Sequence, residues 1–313
     1  MPLAVGPAMS ATVFGQEEFA LFIATFIADA LDERAPDEAA RALAGIGAVA
    51  GAPRWIEPGI AFDVPFARAS LADARAALEG LRPGTDVIVQ PEAGRRKKML
   101  IADMDSTMIT VECIDELADY AGIKEQVAAV TEAAMRGELD FEGALDARVA
   151  LLKGLAAEVI DRCHAERVRI MPGAKALVRT MAAHGAEAVL VSGGFTVFAD
   201  RVAQEIGFAK AISNTLDIAG GLLSGTVARP IVGAAAKRDA LLVEAAVRGV
   251  RPDEVLAVGD GANDIPMIEL AGLGVAYHAK PKTAAAAGAR IDHGDLSALL
   301  YAQGYPRSEW VSG

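Results

Sequence analysis

Two aspartates, spaced two residues apart, follow a short apolar run near residue 100. The run Met99–Ala102 predicts a buried strand, and Asp103 and Asp105 come directly after it. Side chains two apart on an extended backbone point the same way, so both carboxylates can reach one small volume. Two carboxylates this close repel each other. The arrangement is tolerable if a cation neutralises one carboxylate and the other carries a proton. That division suits a nucleophile and a general acid, whereas a helix cap is the favoured interpretation of one such aspartate alone.

A serine and two glycines end a second apolar run. The residues Ala188–Val191 lead into Ser192, Gly193 and Gly194. Glycines let backbone N–H groups approach an anion closely, and the Ser192 hydroxyl adds a donor, so this turn is a candidate phosphate cradle. By itself the stretch is also an ordinary tight turn, and it is not a P-loop because it lacks the Gly-Lys-Ser/Thr ending.

A third apolar run, Val255–Val258, is followed by Gly-Asp-Gly-Ala-Asn-Asp, which contains Asp260, Asn263 and Asp264. The carboxyl ends of parallel strands meet at the edge of a sheet where ligands bind. An oxygen-rich site there suits Mg²⁺, which takes one or two carboxylates together with water and phosphate oxygens. An Asx turn that caps the next helix is an equally acceptable interpretation of Asp264.

These motifs, in this order, resemble those of the haloacid dehalogenase superfamily, and the residues after the first motif resemble the phosphoserine phosphatases within it. The resemblance covers about residues 97–305. It implies that Asp103 attacks phosphorus and that Asp105 acts as general acid and then base. It implies a Mg²⁺ ion held by the side chains of Asp103 and Asp260 and the backbone carbonyl of Asp105. It also implies a set of phosphate-binding and supporting residues: Ser192, Gly193, Lys237 and Asn263, supported by Thr107 and Asp264. Without the other motifs, Lys237 would be interpreted as a solvated charge.

Substrate choice is expected in the segment after the first motif. The resemblance implies that Glu112 holds a substrate ammonium, that Arg148 binds its carboxylate and that Phe141 covers the site. Separately, the two charges would be read as a surface ion pair and Phe141 as core. Together they predict hydrolysis of O-phospho-L-serine to L-serine in serine biosynthesis. The alternatives are a related phosphatase or phosphotransferase acting on another small phosphate ester, and a receiver-like module in which phospho-Asp103 signals.

The elements that must position these residues follow a simple order. From Met171 onward strands and helices alternate, which predicts a doubly wound parallel sheet with helices on both faces. The insertion 113–167 has helical spacing and resembles the helical cap of the family. Residues 95–313 are expected to form the catalytic domain. Residues 1–94 are expected to form an α+β unit that resembles an ACT or ferredoxin-like domain, with a regulatory or dimerising role, a homodimer being one arrangement.

Several finer expectations complete this division. The patterns predict a strand at 11–14, a helix over 17–31 extended by 36–46, and a hairpin of 211–217 with 222–227. The basic run Arg95–Lys98 is interpreted as a solvated linker.

Composition limits the classes of function. The 313 residues are 53% hydrophobic and 23% charged, which is typical of a globular protein of two or three packed units. The net charge of −12 disfavours nucleic acid and anionic membranes as partners. The apolar run 20–28 is too short to span a membrane, and it lacks a basic segment before it, so a cytoplasmic protein is expected. Two isolated cysteines argue against a disulfide framework or a zinc cluster.

Overall fold

A computed structural model of the chain describes residues 21–135 and 138–311, and the strand predicted at 11–14 lies outside these residues. Its larger sheet has six strands, all parallel, in the order β13-β12-β11-β6-β7-β8. The strands are β6 Met99–Ala102, β7 Glu187–Phe195, β8 Lys210–Asn214, β11 Val255–Gly259, β12 Leu273–Tyr277 and β13 Ala289–Ile291. The three motif-bearing strands β11, β6 and β7 are therefore neighbours at the centre of the sheet, and their carboxyl ends share one edge.

Strand β6 shows why both faces of this sheet are covered. Leu100 and Ala102 pack in one hydrophobic cluster, while Met99 and Ile101 pack in another on the opposite face. Alternate residues of a strand point to opposite faces, so a strand that is apolar throughout needs helices on both sides. They are supplied by α7 Ala174–Ala183, α8 Thr196–Ile206, α9 Ala234–Arg248, α10 Ile265–Leu270, α11 Pro281–Ala286 and α12 Ala298–Ala302. The predicted doubly wound fold is confirmed.

The predicted cap insertion contains four helices, which lie between β6 and α7. They are α3 Cys113–Tyr120, α4 Lys124–Met135, α5 Phe141–Leu151 and α6 Glu158–Arg167. Asp140 is the N-cap residue of α5, because its side chain accepts a hydrogen bond from the Gly143 N–H at 2.8 Å. This hydrogen bond at the N-terminus of α5 fixes the position of Phe141 in the first turn of the helix.

The predicted hairpin of 211–217 with 222–227 is wrong in its first strand. Residues Lys210–Asn214 form the edge strand β8 of the parallel sheet, and the hairpin consists of β9 Leu216–Ala219 and β10 Leu222–Val227. Gly220 and Gly221 make the turn with φ of 59° and 77°. One apolar run thus serves two sheets, a division that periodicity alone does not indicate.

The N-terminal unit contains an antiparallel sheet. Its strands lie side by side in the order β2-β4-β1-β5, and β3 also pairs with β4. Its elements are β1 Phe22–Ile27, α1 Ala35–Gly45, β2 Val49–Ala50, β3 Arg54–Glu57, β4 Ala61–Ala67, α2 Leu71–Leu78 and β5 Asp86–Pro91. Without the short β2, the order is that of a ferredoxin-like module. The ACT-like assignment and the boundary at residues 94 and 95 stay predictions.

The helix predicted over 17–31 is wrong where the structure describes it, because Phe22–Ile27 is a strand at the centre of this sheet. Residues 23–27 are all buried: Ala24 and Phe26 pack in the cluster that contains α1 and α2, and Ile27 packs in the cluster of the catalytic domain. The strand is apolar except for Thr25, which is buried and donates its hydroxyl to Asp63. Periodicity cannot distinguish such a sequence from a buried helix.

The interpretation of the basic run as solvated holds for Arg96 and Lys98, which are exposed, but not for Arg95 and Lys97. The Arg95 guanidinium is 14% exposed and lies 2.6 Å from an Asp63 carboxylate oxygen, and the Lys97 ammonium donates to the Asp253 carbonyl at 3.1 Å. Arg95 therefore binds the N-terminal sheet through Asp63, and Lys97, which precedes β6, binds the turn before β11. None of the helices within residues 21–135 and 138–311 is long and apolar enough to cross a membrane.

Candidate active site

The end of β6 and the turn after it hold Asp103 against the neighbouring strand. The Asp103 backbone N–H donates to the Val258 carbonyl at 3.0 Å. The Met104 carbonyl then accepts hydrogen bonds from the next residues, Thr107, Met108 and Ile109, which closes a tight turn. Ser106 in this turn has a φ of 56°, a conformation uncommon for residues other than glycine. The turn directs the Asp103 and Asp105 side chains into one cavity of about 160 Å³.

Lys237 lies behind this cavity, between two carboxylates. Its fully buried Nζ is 2.6 Å from Asp103 Oδ1 and 2.6 Å from Asp264 Oδ1. Burial alone would lower the pKa of Lys237, but the two carboxylates outweigh that effect and raise its pKa above the ordinary value. The lysine is therefore a permanent cation beside Asp103.

The two aspartates of the first motif differ in their surroundings. Burial raises the pKa of Asp103 well above its ordinary value, the Asp264 charge adds to this, and Lys237 opposes it. Burial and then Glu112 raise the pKa of Asp105 to about 7, although hydrogen bonds from Cys113 lower it. A carboxyl with a pKa near neutrality holds a proton for part of the time at neutral pH and can donate it.

The glycine turn at the end of β7 lies directly beside these acids. A Cβ on Gly194 would lie 3.0 Å from Asp105 Oδ2, and one on Gly193 would lie 3.0 Å from the Phe141 ring. Larger residues would therefore narrow the cavity. The Ser192 hydroxyl oxygen accepts a hydrogen bond from the Gly194 N–H at 2.8 Å. The turn thus brings a hydroxyl and two glycines to the cavity wall.

Asp260 completes an acidic cluster at the same edge of the sheet. Carboxylate oxygens of Asp103, Asp260 and Asp264 all lie within 4.8 Å of one another. Burial and the Asp264 charge raise the pKa of Asp260 to about 6. This crowding of buried carboxylates fits a divalent cation with oxygen ligands, which would relieve their repulsion. Both oxygens of Asp264 already accept hydrogen bonds, Oδ1 from Lys237 and Oδ2 from the Gly261 N–H, whereas both contacts of Asp103 are on Oδ1. Asp103 and Asp260 therefore fit the ligand role better.

The cap supplies the remaining wall of the cavity. Glu112, Ile114, Phe141, Leu145 and Arg148 all line it. Glu112 accepts a hydrogen bond from the Ser106 hydroxyl at 2.8 Å. The Arg148 guanidinium donates through Nε to the Ala144 carbonyl at 3.2 Å, and it forms no ion pair in the part of the chain that is described. Burial lowers the pKa of Arg148, against the effects of nearby acids.

Every predicted site residue either lines this cavity or lies directly behind its wall. The residues that line the cavity are Asp103, Asp105, Glu112, Phe141, Arg148, Ser192, Gly193, Asp260 and Asn263. Thr107, Lys237 and Asp264 lie behind the wall. The Thr107 hydroxyl donates to Asp260 at 3.3 Å, and Lys237 and Asp264 are paired to each other. The roles assigned to these residues stay predictions.

Comparison with known proteins agrees with this geometry. The family model for haloacid dehalogenase-like hydrolases matches residues 100–269, more than half of the chain. The chain belongs to the haloacid dehalogenase-like hydrolase family. The predicted resemblance to phosphoserine phosphatases within this family is confirmed as well, by relatives and by solved structures.

Several relatives of this hydrolase are named phosphoserine phosphatase, and two of them show the extent of the similarity. The one from Polaromonas sp. is 47% identical over 208 residues, which cover 65% of this chain and 88% of the relative. The one from Archaeoglobus fulgidus is 44% identical over 227 residues, which cover 71% of this chain and 65% of the relative. A solved structure described as a phospho-aspartyl intermediate analogue of phosphoserine phosphatase has a TM-score of 0.62 and 36% identity, and covers 66% of this chain and 98% of that one.

Sequence reasoning missed three polar residues of this hydrolase that belong to the site. Lys280 lines the cavity, Ser106 holds Glu112, and Asn214 joins two loops. The Asn214 amide donates to the Gly193 carbonyl at 2.9 Å and accepts from the Val232 N–H at 2.7 Å. Asn214 ends β8 and Lys280 follows β12, so the rule that ligands bind at the carboxyl ends of parallel strands could have found both.

Proposed function

We propose that this chain is a Mg²⁺-dependent phosphoserine phosphatase, which hydrolyses O-phospho-L-serine to L-serine and phosphate through an aspartyl-phosphate intermediate. One observation carries the proposal. Asp103 and Asp105 share a cavity with Glu112, which directly precedes the cap, and with Arg148 of the cap. The first pair provides a nucleophile and an acid. The second pair provides an anion for the substrate ammonium and a cation for its carboxylate.

Asp103 is the nucleophile in this proposal. Its Oδ1 accepts hydrogen bonds from Lys237 and from the Met104 N–H at 2.6 and 2.8 Å, which fixes the carboxylate and leaves Oδ2 for attack on phosphorus. As the bond between phosphorus and the serine oxygen breaks, Asp105 donates its proton to that oxygen. Asp105 then takes a proton from water, whose oxygen attacks the aspartyl phosphate, releases phosphate and restores Asp103.

Charge on the transferring phosphoryl group is balanced by the core domain. Ser192 and Gly193 offer donors at the cavity wall, Asn263 adds an amide, and Lys237 supplies a buried positive charge behind Asp103. Mg²⁺ would be held by Asp103, Asp260 and the Asp105 carbonyl, and when bound it supplies further positive charge to the phosphoryl oxygens. Thr107 and Asp264 support Asp260 and Lys237 through the hydrogen bonds already described.

The cap residues determine the substrate. Because Arg148 has no carboxylate partner among the described residues, its guanidinium is available to bind the substrate carboxylate with two parallel hydrogen bonds. The Phe141 ring lies against Gly193 and Gly233, so it covers the phosphate end of the cavity. We also propose a role in serine biosynthesis in the cytoplasm, with an ACT-like N-terminal unit that serves regulation or a homodimer.

The first prediction tests the nucleophile. Wild type should release phosphate from L-phosphoserine with Mg²⁺ present and stop when Mg²⁺ is chelated, while Asp103→Asn should lose at least about 10³-fold in kcat because the amide cannot attack phosphorus. Substrate choice is measured beside it with phosphothreonine and sugar phosphates. A preference for another ester would favour a sibling phosphatase, and a stable phospho-aspartate without release of serine would favour a signalling module.

A further inference from the structure

Lys280 is a cavity residue for which the proposed mechanism has no role. It lies three residues after β12, at the start of α11, and lines the cavity together with Asp260, Gly261 and Asn263. Its backbone N–H donates to the Asp260 carbonyl at 3.2 Å, which fixes the lysine to the turn that carries an acid of the site. The backbone of Lys280 is therefore held beside the cavity by the same turn.

The Lys280 ammonium forms no ion pair with the described residues. The residue is exposed, and no carboxylate of the described residues lies within 4.0 Å of its Nζ. Exposed lysines are usually just solvated, so exposure alone has no meaning. Lys282 is such a lysine: it lies on the same helix and is exposed, but it does not line the cavity. The distinction between the two lysines is their place relative to the cavity.

The balance of charge at the cavity indicates a function for Lys280. Four acids line the cavity, namely Asp103, Asp105, Glu112 and Asp260. Of the described cations, only Arg148 and Lys280 line it, because Lys237 is buried behind the wall and is already paired with two carboxylates. The whole chain carries a net charge of −12. Even with the proposed Mg²⁺ bound, the chain as a whole stays strongly negative, so an approaching phosphate dianion meets an overall negative field that the ion and these two cations oppose locally.

We infer that Lys280 is a recruiting residue, which attracts the phosphate group of the substrate to the cavity mouth and does not take part in phosphoryl transfer. The inference rests on the proposed function, since it requires a phosphate ester as substrate. Arg148 lies on the cap side with the proposed amino-acid end, while Lys280 lies on the core side beside Asp260 and Asn263. The two cations thus attract opposite ends of one substrate.

The test uses three variants of the full chain: Lys280→Gln, Lys280→Arg and the matched control Lys282→Gln. At low ionic strength, Lys280→Gln should lower kcat/KM for phosphoserine by about three- to tenfold and raise the inhibition constant of inorganic phosphate by a similar factor. The kcat should change less than twofold. Because exposed charges are screened by salt, the difference from wild type should vanish at about 1 M salt. Lys280→Arg and Lys282→Gln should behave like wild type.

Two results would overturn this inference. One is a Lys280→Gln variant whose kcat/KM and salt dependence match those of Lys282→Gln. The other is a large fall in kcat at unchanged KM, which would place Lys280 in the chemical step. Calorimetric binding of inorganic phosphate to wild type and Lys280→Gln measures recruitment without turnover. A wild type that binds phosphate through Lys280 but does not hydrolyse phosphoserine would contradict the proposed function and leave this inference standing.

Discussion

Asp103 and Asp105 are chemically identical side chains that their neighbours make different. Lys237 and the Met104 N–H both contact Asp103 Oδ1, so one oxygen of that carboxylate is held and the other remains free. Burial, and after it the charge of Glu112, raises the pKa of Asp105 to about 7. A nucleophile must be ionised, whereas a general acid must hold a proton. Burial raises the pKa of Asp103 well above its ordinary value, so its proposed role as nucleophile rests on the free Oδ2 and on the positive charges of Lys237 and the proposed Mg²⁺, not on its pKa.

Arg148 is the residue on which substrate specificity depends. Arg148→Ala should lower kcat/KM for phosphoserine by about 10²-fold or more, because a carboxylate left without its cation loses a charge-assisted pair. Activity on phosphoethanolamine, which has no carboxylate, should change little. The measurement is the ratio of kcat/KM values for the two substrates.

Arg162→Ala serves as the control for this prediction, since Arg162 is an exposed cap arginine whose guanidinium lies over the Tyr120 ring, 4.6 Å from its centroid. It should keep the wild-type ratio. An Arg148→Ala variant that lost activity equally on both substrates would show that Arg148 supports the cap and does not recognise the carboxylate.

At the scale of an element, the end of β11 has room for glycine alone. A Cβ on Gly259 would lie 2.4 Å from Asp264 Cγ, a distance at which one of them must move. Asp264 is fully buried and is the second partner of Lys237. Gly259→Ala should therefore displace the Asp264 and Lys237 pair and reduce kcat by about 10²-fold or more, as misplacement by 1 Å can do.

The control for this glycine is Gly288→Ala, where the new Cβ would meet its nearest neighbour, the Gly274 carbonyl, at 3.6 Å. It should retain wild-type kcat. Circular dichroism would establish that both variants fold. Wild-type activity in a folded Gly259→Ala variant would contradict the idea that this glycine keeps the lysine in place.

The elements differ in how far their sequences predict them. The central strands β6, β7 and β11 are predicted well, because each is a short apolar run that stops at glycines or acids, a pattern typical of a buried parallel strand. The strand β1 is not, because its residues are apolar on both faces and resemble a buried helix. Lys280 shows a different limit: it is an exposed lysine in the sequence, and only the turn that binds it to Asp260 brings it to the cavity.

At the scale of the whole molecule, the N-terminal unit is packed against the catalytic domain. Ile27, Ala61 and Ile88 lie in the same hydrophobic cluster as the catalytic core. The Asp86 carboxylate accepts from the backbone N–H groups of Asp292 and Gly294 at 2.8 and 2.7 Å. These contacts join residues about two hundred positions apart, so we expect the two units to unfold together.

Arg95 is one of the cations at this junction, and its removal is the prediction at this scale. Its guanidinium binds both Asp63 oxygens, at 2.6 and 3.0 Å, and also donates to the Ala302 carbonyl of α12. The Asp63 side chain is 6% exposed. Arg95→Ala leaves this buried carboxylate without its cation and should lower the free energy of unfolding by about 3–5 kcal/mol. Arg54→Ala, which removes an exposed pair with Glu92, should cost about 1 kcal/mol or less.

The two tryptophans allow this loss to be assigned to the junction. Trp55 lies on β3 in the N-terminal unit, and Trp310 packs on Tyr301 of α12 in the catalytic domain. Chemical denaturation of variants with one tryptophan each should show coincident transitions when Arg95 is present. In Arg95→Ala the Trp55 transition should move to lower denaturant than the Trp310 transition, because the sheet loses its ionic attachment to α12. If both transitions stay coincident, with a loss no larger than that of Arg54→Ala, the units are joined by apolar packing and Arg95 only fills the space between them.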